Sequence, residues 1–286
     1  MQGMFRKVLT PIFFIFLILL PGCTAVFNQQ VSAANNVFSY RLLGNIDKVG
    51  LKEPSGICYH TQRGTLFVVG DGGDVYEIET SGRLVKQMRV RHADFEGVTH
   101  APVNGLLYIA IERKESIIEL SPETFEILRE FSIPRSLNGK TLLAPGGEGI
   151  EGITFVPDDN HPEGGTFFIA NQSFNLDNRE DVSGIFEVEL PLKRKSEKLL
   201  QGKLLRYFTL GVTDLSGLYY DEASEQLYAI SDATNTIFEL DRSGTLISAR
   251  SFPGDNQEGV TVDDNGFMYI AQDSGGVIKI IWYRNQ

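Results

Sequence analysis

Three glutamates of this sequence occupy one repeated position. Glu96, Glu151 and Glu258 each stand directly before a glycine that opens a short apolar strand, and Ser55 and Ser216 hold the same place in two further copies. If the copies surround a common axis, these five residues form a ring of three carboxylates and two hydroxyls. Like charges gathered in a partly desolvated channel repel, so protons or a cation must relieve them. A ligand set of oxygen atoms without His or Cys suits a hard cation, Ca2+ before Mg2+. The alternative is a water-filled channel mouth lined by solvated acids.

A second ring closes the following strand of each copy: Asp71, Glu112, Gln172, Asp232 and Asp273. These side chains either orient the first ring or cap strand–turn junctions, where Asp is favoured. Asn171 is the candidate fourth metal ligand beside Glu96, Glu151 and Glu258, because it follows Glu151 in the same copy and opens a long polar insertion. A third set, Glu53, Asp94, Glu148, Asp214 and Asn256, precedes the first ring by two or three residues and deepens the negative potential there.

Other chemistries find little material. No Gly-x-Ser-x-Gly elbow is present. Gly146-Gly147-Glu148-Gly149 lacks the Lys-Ser/Thr of a phosphate loop. The four histidines, His60, His92, His100 and His161, do not recur at a repeat position, and His100 reads as a turn or core residue. Cys58 lies in an apolar strand and reads as a buried, inert thiol. With 37 acidic and 26 basic residues the net charge is -11, which excludes a general nucleic-acid binder. The basic cluster Lys193-Arg194-Lys195 with Lys198 and Lys203 reads as a solvated, edge-protecting turn, and the acidic run 175–181 as a solvated loop without EF-hand spacing.

The elements that must position these residues repeat five times. Each unit is a Ser-Gly or Glu-Gly strand, an aromatic strand, a strand ending apolar-acidic-apolar (Val75-Tyr76-Glu77-Ile78 in the first), and an outer strand after a turn. The glycines at 56, 97, 152, 217 and 259 are spaced by 41, 55, 65 and 42 residues. A period of about 40–45 residues with several strands per unit signals a β-propeller. The excess lengths place insertions at 134–147, 173–183 and 191–203. The fifth unit ends after three strands, and the lone strand from Phe38 to Ile46 supplies its fourth and closes the ring. The fold expected is all-β, a five-bladed propeller of four-stranded antiparallel blades over 38–286. Six blades are the alternative.

Ahead of it, Arg6 and Lys7 precede an apolar run from Val8 to Leu20, too short to cross a bilayer and suited to a signal peptide. Residues 1–23 end Leu20-Pro21-Gly22-Cys23, similar to a lipobox apart from Pro21, so Cys23 is the expected lipidation site and 24–37 a tether. Cleavage after Ala33, giving a soluble exported form, or an uncleaved N-terminal anchor are the alternatives. All three place the chain outside the cytoplasm, in the cell envelope.

The motifs Glu53-Pro54-Ser55-Gly56, Asp94-Phe95-Glu96-Gly97, Leu215-Ser216-Gly217-Leu218-Tyr219-Tyr220 and Gln257-Glu258-Gly259-Val260 resemble the SdiA-regulated family of bacterial envelope proteins. The resemblance spans about residues 38 to 286 and implies a five-bladed propeller with a bound calcium, distantly similar to NHL-repeat propellers. Two readings of function follow. The first is an envelope-associated calcium-binding module for an unidentified small molecule or envelope protein. The second is a metal-dependent hydrolase of a lactone, ester or phosphate ester, with the metal in the channel polarising the reacting oxygen.

Overall fold

The chain folds as five small antiparallel sheets arranged in a ring; the computed structural model describes residues 40–194, 198–251 and 254–282. The signal segment, Cys23, the tether 24–37 and Phe38 lie outside the described residues, as does Lys195. Among the described residues there is no helix. Blade 1 consists of Pro54–His60, Thr65–Gly70, Asp74–Glu79 and Leu84–Arg89. Blade 2 is Phe95–Ala101, Leu106–Ile111, Ser116–Leu120 and Ile127–Ser132. Blade 3 is Ile150–Pro157, Gly165–Asn171, Gly184–Glu189 and Lys203–Phe208. Blade 4 is Leu215–Asp221, Gln226–Ser231, Thr236–Asp241 and Leu246–Ser251. Blade 5 is Gln257–Val262, Phe267–Gln272 and Val277–Trp282, completed by Tyr40–Asn45 from the other end of the chain. That strand runs antiparallel to the last one, from Tyr40 opposite Trp282 to Asn45 opposite Ile278. The five blades and the closing strand are those the repeats predict.

The first strand of each blade is innermost, and these strands touch in ring order. Alternation along every strand sends side chains to opposite faces, so each blade packs on both neighbours. The buried apolar residues fall into five clusters, one for each pair of consecutive blades. The recurring acid of the third strand is structural. Glu77 pairs with Arg63 at 2.8 Å, Glu119 is held by Arg129 and by the Tyr108 hydroxyl at 2.6 Å, and Arg206 donates to Glu187 at 2.5 Å.

Two insertions behave differently from a plain loop. Residues 136–141 form a small hairpin beside blade 3, and Leu142 and Leu143 behind it are fully buried in the cluster between blades 2 and 3. The 191–203 segment reads as a basic turn in the sequence. In the structure Leu199–Gln201 crosses to blade 2 and pairs in parallel with Glu130–Ser132, adding a fifth strand. The physical reason is edge cover: the outer strand of blade 2 would otherwise present unpaired backbone groups.

Candidate functional site at the acidic mouth of the channel

The site is built by a β-bulge repeated in all five inner strands. The pairing register of inner strand to second strand shifts at Ser55, Glu96–Gly97, Glu151–Gly152, Ser216 and Glu258. A bulge re-aims a side chain, and here it falls at the first ring each time. The glycine that follows is required by proximity. A Cβ on Gly56 would lie 2.5 Å from the Glu96 carbonyl oxygen, one on Gly217 2.6 Å from that of Glu258, and one on Gly259 2.7 Å from Ile57 N. Each repeat glycine thus packs on the next inner strand, and the five draw the ring to a narrow waist.

The second ring is brought alongside by a repeated backbone bond. The N–H groups of Glu112, Gln172, Asp232 and Asp273 donate to the carbonyls of Asp94, Gly149, Asp214 and Asn256, each two residues before the first-ring position of its blade. Glu53, Asp214 and Asn256 adopt a left-handed backbone at this place, with φ of 43°, 58° and 54°. Asp94, Asp214 and Asn256 of the third set, with Gly149 in place of Glu148, thus tie the first ring to the second.

Together these elements enclose a cavity of about 440 Å³ lined by Asp71, Asp94, Glu96, Glu112, Glu151, Glu258 and Asp273, with Ser55, Gln172 and Arg113. Seven carboxylates thus share one small space with one guanidinium. Burial, then the charge of Asp71, pushes Glu96 up to about 8. Burial, then Asp214 and Asp232, pushes Glu258 up to about 8. Glu151 lies well above the usual carboxylate range through burial and the charge of Glu96, to which it is hydrogen-bonded. Burial also raises Glu112 and Asp273. Glu96, Glu151 and Glu258 therefore hold protons near neutral pH unless a cation takes their place.

The other residues singled out in the sequence are placed as follows. Ser55 donates to Asp71, and Ser216 donates to the Gln257 carbonyl at 2.7 Å, tying blade 4 to blade 5. Asp232 does not line the cavity; its carboxylate accepts from Gln257 N at 2.8 Å, tying blade 4 to the inner strand of blade 5. Gln172 donates to Asp214 at 3.2 Å across blades 3 and 4. Asn171 is fully buried and is not among the lining residues. Its amide nitrogen donates to the Val182 carbonyl at 3.1 Å and to Asp181 at 3.4 Å, while its Oδ1 has no hydrogen-bond partner. Asp181 in turn accepts from Ala144 N and Glu148 N, so this acid of the 175–181 loop fastens two insertions together. His100 lies at the far end of the channel, away from Glu96. Burial raises the Cys58 thiol and keeps it protonated.

For a hard cation the donor set fits in kind, since the lining offers carboxylate, hydroxyl and amide oxygens. In placement the set is spread. Among the described residues no three of His, Cys, Asp or Glu already stand where they could hold one ion. Glu96 and Glu151 are in contact through their hydrogen bond, so a cation bound here would rest on that pair and reach the other acids through water or a small inward shift.

Sequence reasoning missed Arg113. It follows Glu112 in a left-handed turn (φ 62°), and its Nε lies 2.8 Å from Glu112. Its position beside a second-ring acid was the only signal, because side-chain direction out of a turn has no period to read. Also missed was a latch on the inner strands. Thr99, Thr154 and Thr261 accept, through Oγ1, the N–H groups of Phe155, Tyr220 and Tyr59 in the next blade at 3.1, 3.0 and 2.9 Å.

The profile of the SdiA-regulated family matches residues 38–274, and the chain belongs to that family. Among solved structures the chain is similar to the glutaminyl cyclase of Myxococcus xanthus, at 11% identity with a TM-score of 0.57, covering 88% of this chain and 100% of that one. It is also similar to the Cps50 (Swd1) β-propeller domain of Myceliophteria thermophila, at 9% identity and a TM-score of 0.49, covering 86% of this chain and 100% of that one. A protein of unknown function from Bacteroides caccae gives 14% identity and a TM-score of 0.45, covering 78% of this chain and 71% of that one. At such identities the likeness to the cyclase extends to the fold alone.

Proposed function

We propose that this member of the SdiA-regulated family is a cation-binding propeller of the cell envelope that takes Ca2+ at its acidic mouth and presents that face to a small molecule or an envelope protein. The observation that supports it most is the gathering of seven carboxylates on one cavity with a single guanidinium. Such a set is costly as apoprotein above neutral pH and favourable around a divalent ion. The cation would rest on Glu96 and Glu151 of blades 2 and 3 and reach Glu258 of blade 5 through water or a small inward shift, while Asn171, which does not line the cavity, would stay outside its shell. Tethering to the membrane, by lipid on Cys23 or by an uncleaved N-terminal segment, would hold the propeller at its place of work. The test is metal content and melting temperature of the purified full chain, with and without chelator. Bound calcium and a lower melting temperature in chelator are expected; no metal and no change would sink the reading.

A second reading, a metal-dependent hydrolase, is favoured by one observation. With Glu96, Glu151 and Glu258 on the metal, the acids left on the cavity include Glu112 and Asp273, both raised by burial, which suits general acid–base work. Arg113 alone is too little cation for a multiply charged phosphate ester, so lactones and simple esters are the substrates to try. Calcium-dependent turnover lost in Glu258→Gln would establish it; absence of turnover across a lactone and ester panel would leave the binding module.

A further inference from the structure

The channel has a second mouth, at the far ends of the inner strands, and its chemistry differs from the first. A cavity of about 550 Å³ opens there, and no residue lines both cavities. Its floor is apolar, made by the residue after each repeat glycine, Ile57, Val98, Ile153, Leu218 and Val260, all buried. Its walls carry Tyr59, Tyr219 and Tyr220. Its rim carries Asp264 and Glu222, both exposed, and neither Lys nor Arg lines it. The Tyr59 hydroxyl donates to Asp264 at 3.0 Å, which fixes that ring under the carboxylate.

One titratable group beside this cavity stays uncharged. His100 is 8% exposed, lines the cavity, and has an Nε2 without a hydrogen-bond partner. Its ring stacks on His60 with centroids 3.8 Å apart. Burial, then the neighbouring His60, holds the imidazole neutral at ordinary pH. A neutral ring leaves the cavity wall without positive charge, whereas an imidazolium would repel a cation.

We propose that this second mouth binds an organic ammonium ion, a protonated amine carried on an aromatic or alkyl body. The apolar floor takes the body. The tyrosine faces and the rim carboxylates take the charge, through cation–π attraction and ion pairing. The neutral His100 ring adds no positive charge to the wall, and its buried Nε2 takes no part in the binding. An anion of the same shape is refused, because the lining has acids and no cation to meet it. The size is that of an ordinary small-molecule site. The assignment goes beyond the calcium reading, which concerns the opposite mouth.

Phenethylamine at pH 7.5 is the probe, with 3-phenylpropionate as its anionic counterpart, titrated calorimetrically into the full chain. Saturable binding of the amine is expected, with the carboxylate at least about tenfold weaker and Asp264→Asn or Glu222→Gln weakening the amine ~3–10-fold. Both substitutions are at exposed positions, so a folded protein is expected from at least one. Tyr59→Phe keeps the ring and should change affinity less than either. Equal binding of the two probes would overturn the proposal, as would no saturation by ~10 mM amine, a few kcal/mol being the least a real site gives. Binding lost in Glu258→Gln but untouched by Asp264→Asn would place the amine at the acidic mouth and overturn it as well.

Discussion

Without a bound cation, the acidic ring should make this propeller less stable as pH rises above neutrality, contrary to what paired carboxylates ordinarily do. Glu96 and Glu258 move from an ordinary 4.5 to about 8 on folding. A carboxyl whose folded value lies above its unfolded one keeps its full stability contribution below about 4.5 and loses it as pH climbs through about 8. Two buried histidines act in the opposite sense. His100 is lowered to about 3 and His60 is also lowered, mainly by burial, so stability is gained up to their unfolded value of 6.5. The clean window is therefore pH 6.5 to 8. Linkage at about 1.4 kcal/mol per pH unit for each proton, reduced as the groups approach their own midpoint, gives a total loss of about 2–3 kcal/mol for Glu96 and Glu258. For a domain of this size that is a fall in melting temperature of roughly 5–10 °C. The assay is thermal unfolding of the chelated full chain at constant ionic strength in steps across that window, repeated in millimolar calcium. The fall should appear in chelator and shrink or vanish in calcium, because the cation replaces the protons. A flat or rising melting temperature in chelator would refute the claim that these carboxyls are crowded and desolvated.

Glu151→Gln should lower stability in calcium far more than in chelator, where it removes one charge from the ring; equal loss in both would remove Glu151 from the cation site. Gly56→Ala places a methyl 2.5 Å from the Glu96 carbonyl oxygen and 2.9 Å from Gly97 Cα, and should cost ~2–3 kcal/mol or more by overpacking, read as a drop in denaturant midpoint. Thr154→Val removes the acceptor of the Tyr220 N–H and should cost about 1–2 kcal/mol, measured the same way at pH 6.5.

The fold was legible because its determinants are local and repeated. The pair Ser55-Gly56 and its four counterparts mark both the bulge and the waist, so one motif states the strand, its register shift and its place on the axis. The lone segment before Ser55 could be read as the closing strand because the last unit lacked one. Leu199–Gln201 was not legible, since three residues pairing in parallel with Glu130–Ser132 leave no alternation to detect. The candidate site was legible as a ring of residue types but not as a list of contacts. Glu96, Glu151, Glu258, Ser55, Asp71, Glu112 and Asp273 face one cavity as the repeat position demands. Ser216, Asn171 and Asp232 do not, because each is claimed by a neighbouring hydrogen bond that only the insertion or the next blade supplies. The aromatic mouth went unread although Tyr59, His100, Phe155 and Tyr220 share one repeat position, four residues after the first ring, because that position varies in type and carries no charge pattern to draw notice.

The departures from fivefold repetition are correlated, and the correlation bears on how the acids are tolerated. Blades 2, 3 and 5 read Glu-Gly-apolar-Thr at the inner strand, and blades 1 and 4 read Ser-Gly-apolar followed by Cys58 or Tyr219. The three strands that carry a ring carboxylate are therefore the three whose threonine latches the next blade. Charge in the ring pushes inner strands apart, and a hydroxyl accepting a buried backbone N–H two turns of the pleat away resists that motion where it begins. If the two are coupled, Thr154→Val must cost more when the ring is charged than when it is neutral. In chelator its cost should rise between pH 6.5 and 8, and the rise should disappear in a Glu151→Gln background, giving an interaction energy of ~0.5–1 kcal/mol in a double-mutant cycle. A cost that is the same at both pH values and in both backgrounds would mean that the threonines satisfy the inner edge and have no bearing on the acids beside them.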